Sequence, residues 1–242
     1  MHVSRLASAL ALALTTAACT IPVQPPQALL DGPAPAPANG PLSTVAEETV
    51  IRTGGSPGAP LVIDSTSFLN GLRILANDVV VRNSTVVRPG SDQPQVYILG
   101  DRVTLENVTV GGPDGGSEGV RLEGGDGIVL RGVRVPGLRL VDPTSHSDAL
   151  QVYLQRPLTN LLIEDSYFDG TVTGDGTQAT ANGSQIDGAR GAISGTIRRS
   201  TFAGGKYFSA RYYNISGPLT LEAVGYGNPM TTNSAAGLVQ LP

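Results

Sequence analysis

Val79-Val-Val-Arg-Asn-Ser-Thr-Val86, Val103-Thr-Leu-Glu-Asn-Val-Thr-Val110 and Ile128-Val-Leu-Arg-Gly-Val-Arg-Val135 share one pattern, which three later segments repeat. Those are Leu161-Leu-Ile-Glu-Asp-Ser-Tyr-Phe168, Gly195-Thr-Ile-Arg-Arg-Ser-Thr-Phe202 and Leu219-Thr-Leu-Glu-Ala-Val-Gly-Tyr226. Apolar residues alternate with others around one charged position, filled in turn by Arg82, Glu106, Arg131, Glu164, Arg198 and Glu222. Period-2 alternation predicts strands, and its return after 24, 25, 33, 34 and 24 residues predicts an all-β solenoid. One turn cannot bury its own apolar face, but turns stacked about 4.8 Å apart share an interior. The two longer intervals keep register if surplus residues leave as loops near 136–147 and 171–183, both rich in Gly, Thr, Asp or Pro. The alternating charges then form an outward ladder that fixes register, each exposed pair contributing about 0.2–1 kcal/mol.

Composition agrees with short strands and tight turns. Charged residues make up 15% of the chain, against about 25% in ordinary domains, while Gly reaches 31 residues and Trp is absent. Of four Asn-x-Ser/Thr triplets, at Asn83, Asn107, Asn182 and Asn214, the first two share a repeat position. An asparagine there suits the corner of a solenoid, where it tolerates left-handed backbone and bonds its stacked neighbour. The net charge of −4 argues against nucleic acid as partner.

The first residues set the compartment. Arg5 precedes an uncharged run over 6–18, too short to span a bilayer but suited to a signal-peptide core. The segment Thr16-Ala17-Ala18-Cys19 resembles a bacterial lipobox, which implies lipidation of Cys19, the only cysteine, and an exported chain anchored at a cell membrane or outer surface. Ordinary secretion after cleavage at Ala18 is the alternative. Residues 19–43 form a Pro/Ala-rich linker, with Pro-Ala-Pro-Ala-Pro at 33–37, between this signal (1–18) and a folded domain at 44–242.

The repeat resembles the pectate-lyase-like superfamily of right-handed parallel β-helices over residues 49–228, with about seven coils. That resemblance implies a polysaccharide partner and a groove along one sheet, built by outward side chains of successive turns. The strands preceding each repeat segment, at 119–123, 149–154, 185–187 and 207–211, are placed on that sheet. Alternation puts Val120, Leu122, Leu150, Val152, Ile186, Phe208 and Ala210 inside. Outside it puts Arg121, Glu123, Gln151, Tyr153, Gln185, Asp187, Tyr207, Ser209 and Arg211, a strip suited to sugars. The superfamily's pectate-lyase segments Trp-Ile-Asp-His and Arg-x-Pro-x-x-Arg are absent, and of the polygalacturonase motifs only one aspartate has an echo, in Asp148.

His146 and Asp148, in Ser145-His146-Ser147-Asp148-Ala149-Leu150-Gln151, are the sharpest local feature. Similar stretches occur in extracellular β-helix proteins that resemble carbohydrate-active enzymes, while a local capping role is the structural alternative. A polysaccharide lyase needs a base and positive charge on the uronate. His146 or Tyr153 would be the base, and Arg121, Lys206 or Arg211 would neutralise the carboxylate. Calcium (Ca2+) held by Glu123, Asp148 or Asp187 would share that task. A glycoside hydrolase needs two carboxylates, for which Asp148 and Asp187 are the pair. A non-catalytic glycan-binding or structural envelope role stands beside both, with Tyr153, Tyr207 and Tyr213 as sugar platforms.

Overall fold

The structure, a computed structural model, describes residues 42–112, 114–141, 146–173, 180–206 and 208–241. The expected signal, Cys19 and nearly all of the linker lie outside these residues, as does Tyr207. Every element of the described chain is a strand. Three long sheets of eight, eight and nine strands interleave along the chain, and all their pairings are parallel. This is consistent with a parallel β-helix.

The first sheet runs from Ser43–Val45 to Gly225–Tyr226, and the second from Thr49–Ile51 to Met230–Asn233. The third runs from Leu61–Asp64 to Leu238–Leu241 and contains the first half of each sequence repeat. Register follows the repeat: Val79 faces Val103, Leu105 faces Leu130, and Ile163 faces Ile197. All of these side chains turn inward, so Val79, Val103, Leu105, Leu130, Ile163 and Ile197 are inaccessible to water. At one edge of the core Phe168, Phe202 and Tyr226 stack, with ring centroids 5.5 and 6.2 Å apart.

Each repeat turns from the third sheet into the first through one residue of left-handed backbone. Asn83 and Asn107 hold φ of 50° and 53°, and the Asn107 amide donates to Asn83 at 3.4 Å. The corner reading of these asparagines therefore holds. The same position is Gly132, Asp165, Arg199 and Ala223 in later repeats, all with positive φ. At Gly132 a side chain would also meet Asn107 Oδ1 at 2.7 Å, which is why glycine fits there.

Three expectations need correction. The surplus residues do not leave only as loops: Leu138–Arg139 and Val172–Thr173 pair in a small parallel sheet of their own. The first excursion also docks back, with Arg139 N–H donating to Gly116 and Val141 N–H to Ser117 Oγ. The strands of the second sheet begin earlier than expected, at His146 and Thr180. The charge ladder is in register, yet it is not a row of exposed pairs. Glu164 is 5% exposed, holding Arg131 at 2.7 Å, Arg198 at 2.6 Å and Arg199 at 3.2 Å. Parallel stacking places an arginine on each side of it, and Arg199 at the corner adds a third.

These hydrogen bonds, from Arg131 first and Arg198 second, hold the Glu164 carboxyl at about 2, below its ordinary 4.5. Its contribution is complete above 4.5 and lost as the pH falls towards 2. E164Q should cost about 1–2 kcal/mol at neutral pH, after screening at the half-exposed guanidiniums. Its urea midpoint should also fall less than wild type between pH 5 and pH 3. Equal acid sensitivity in both proteins would exclude this role.

Candidate functional site

The second sheet carries a distinctive local irregularity. Pairing partners are skipped at Gly119, Ala149 and Gly183 without any change of register, so three neighbouring strands kink at one height. Ala149 is fully buried in the core, and a Cβ on Gly119 would lie 3.1 Å from Val135 Cγ1, so this position turns inward. It must be small, because the same Cβ would meet the Ala149 carbonyl at 2.3 Å and one on Gly183 the Ser209 carbonyl at 2.5 Å.

The kink breaks strict alternation and brings residues three apart onto one face. Glu118 thereby reaches Arg121, with Nη2 donating to Oε1 at 2.6 Å. Asp148 likewise reaches Gln151, whose amide donates to Oδ2 at 3.1 Å. In register beside Asp148, Asn182 donates to its Oδ1 at 2.7 Å. His146 Nε2 lies 3.0 Å from both Asp148 Oδ2 and Gln185 Oε1. With acceptor oxygens on both sides, Nε2 serves as a donor.

Asp148 is fully buried, Glu118 5% exposed and Gln151 7% exposed, whereas the His146 side chain is 38% exposed. The Asp148 hydrogen bond, opposed by burial, raises His146 above its ordinary 6.5. Burial, with Asp148 adding repulsion against the pull of Arg121, pushes the Glu118 carboxyl up to about 7. Glu118 Oε2, Arg121 Nε and Gln151 Oε1 are buried with no hydrogen-bond partner among the described residues. A buried acid that titrates near neutrality beside a histidine–aspartate pair is suited to proton transfer.

The structure brings His146, Asp148, Gln151 and Gln185 into direct contact and adds Arg211, in register with Gln185 and close enough to oppose protonation of His146. Asp187 stands apart from Asp148. It shares a row with Tyr153 and Tyr213, and its Oδ1 accepts from Ala189 N–H and the Asn214 amide. Arg121 spans Glu118 and Glu123, the latter at 3.8 Å. Glu123, expected outside, is 5% exposed because Tyr97 and Gln155 donate to it and cover it. Gln151 and Ser209, also expected outside, are buried by Asp148 and by the Gly204–Asn228 contacts respectively. Phe208, expected inside, is only half-buried, while Lys206 lies exposed in the preceding turn. Tyr153 is 40% exposed under the Arg190 guanidinium, which sits 4.4 Å from its ring centroid.

Sequence reasoning missed Glu118 and Asn182. Their signal is a second repeat, Glu118-Gly-Val-Arg121, Asp148-Ala-Leu-Gln151 and Asn182-Gly-Ser-Gln185, in which a small residue follows each polar one. No group of three or more His, Cys, Asp or Glu side chains suited to a metal occurs among the described residues. Asp148 is committed to His146, Gln151 and Asn182, and Glu123 to Tyr97 and Gln155. The chain matches no protein family, no curated protein and no solved structure.

His146 should titrate above 6.5 in an NMR titration, and D148N should lower its midpoint. An unchanged midpoint would refute the pairing. The stability this pair contributes is present below 6.5 and fades as the pH rises through the raised value. Glu118 works in the opposite sense to Glu164, since its raised value costs stability as the pH climbs from 4.5 through about 7. E118Q should therefore gain stability over wild type at pH 8 relative to pH 5, read from urea midpoints at the two pH values.

Proposed function

We propose that this chain is an exported, lipid-anchored carbohydrate-active protein that cleaves an acidic polysaccharide by elimination. In this reading the sheets form a right-handed β-helix of about seven coils, as in the pectate-lyase-like superfamily, and the substrate lies along the outer face of the second sheet. The observation that carries it is the contact of half-exposed His146 with buried Asp148, beside Glu118 and Arg211.

His146, as the neutral imidazole, takes the proton from the carbon next to the uronate carboxylate. The electron pair of that C–H bond forms a carbon–carbon double bond, and the glycosidic oxygen departs from the adjacent carbon with the C–O bonding pair, taking up a proton from water. Arg211 offsets charge on the uronate, and Asp148 holds the imidazole and steadies its charged form. Hydrolysis by an Asp148 and Asp187 pair fits less well, because both Asp148 oxygens already accept side-chain hydrogen bonds and Asp148 itself is shut off from water.

A non-catalytic glycan-binding or structural envelope role is the second reading. It is favoured by arginines lying over accessible tyrosines of one row on this sheet, Arg190 over Tyr153 at 4.4 Å and Arg211 over Tyr213 at 4.8 Å. Such pairs offer an aromatic plane and a cation without any chemistry.

The full chain in mild detergent, incubated with uronate-containing and neutral polysaccharides, should release unsaturated products and new reducing ends only from the former. The rate should rise with pH through the His146 midpoint, and H146A should lower it about 100-fold or more. Binding without product from any substrate would establish the second reading instead.

A further inference from the structure

Three strands end the three long sheets on the same side: Gly225–Tyr226, Met230–Asn233 and Leu238–Leu241. Among the described residues no strand pairs with their outer edges. Soluble proteins protect such edges with charge, because an open row of N–H and C=O groups recruits another strand. This edge has no such protection. From Ala223 to Leu241 the sequence holds no Asp, Glu, Lys or Arg. The opposite end differs, with Glu47, Glu48, Arg52 and Asp64 in or beside its terminal strands.

The departure is sharpest in Leu238–Leu241. Its register places Leu241 on the charge ladder, after Asp64, Arg82, Glu106, Arg131, Glu164, Arg198 and Glu222. The ladder thus ends in an apolar residue. Val239 occupies the outer row that holds Thr220 and Thr196 in earlier strands. Both Val239 and Leu241 are 46% exposed.

We propose that this uncharged end is an interface between two copies of the chain, joined across a two-fold axis by antiparallel pairing of Leu238–Leu241 with its equivalent. Residues directly opposite in an antiparallel pair share a face. Setting Gln240 against its own copy places each Val239 against the partner's Leu241, so the two exposed apolar residues cover one another. A charge at the ladder position would bring like charges close together across the two-fold axis, and leucine removes that repulsion. Stacking head to tail instead sets Leu241 over Asp64, whose carboxylate already holds Arg82 at 2.7 Å, and builds an open filament. The two-fold contact uses only the unprotected end and closes.

Sedimentation velocity of the full chain in mild detergent, over a hundredfold concentration range, tests this. The wild type should pass from monomer to dimer. The V239K/L241K variant should dimerise at least tenfold more weakly, with an unchanged far-ultraviolet circular dichroism spectrum. V62K, at the exposed terminal strand of the opposite end, should dimerise as wild type does. A wild type that stays monomeric throughout, or a dimer that survives V239K/L241K, overturns the proposal. So does growth beyond the dimer that V62K abolishes, which would mean head-to-tail stacking. None of these outcomes depends on carbohydrate activity.

Discussion

Parallel in-register stacking is the constraint on which everything else rests. Each side chain lies about 4.8 Å from the residue at the same position one repeat away, so every row must suit its own members as neighbours. Apolar rows meet this freely, and Val, Leu and Ile fill them from Val79 to Leu221. Asparagine meets it by bonding amide to amide, as Asn107 does to Asn83. Charge meets it only by alternating in sign, and the ladder from Asp64 to Glu222 alternates without a break. The left-handed corner is repeated as strictly, even where Arg199 and Ala223 must adopt it without a glycine's freedom.

This constraint explains what could be read from residues alone. Rows that alternate in hydrophobicity are visible in sequence, so the strands, their parallel register and the corner asparagines were legible. The kink at Gly119, Ala149 and Gly183 was not, because it reverses the inside–outside order over one residue while leaving the register intact. Strict alternation therefore carried the outward assignment one step too far along the second sheet, and left Glu118 and Asn182 unconsidered. The burial of Glu123, Gln151 and Glu164 was also beyond reach of pattern. Each is covered by long side chains from neighbouring strands, and how those side chains fold over one another depends on three dimensions.

The candidate site follows from the same kink. Without it, Asp148 and Gln151 would point to opposite sides of the sheet, as would Glu118 and Arg121. With it, two acids and three amides meet on three adjacent strands. Asp148 has His146, Gln151 and Asn182 to hold it, whereas Glu118 has Arg121 alone. Burial with so little support is what pushes the Glu118 carboxyl up to about 7.

The docked excursion at Leu138–Arg139 has a wider meaning. It leaves the stack between two strands and rests on Gly116 and Ser117, with Leu138 buried in the core. Its outer stretch thus lies beside the strand that carries Glu118. Insertions there would reshape the wall beside the acid while the scaffold kept its spacing, so the fold can vary what it admits without redesigning what holds it together.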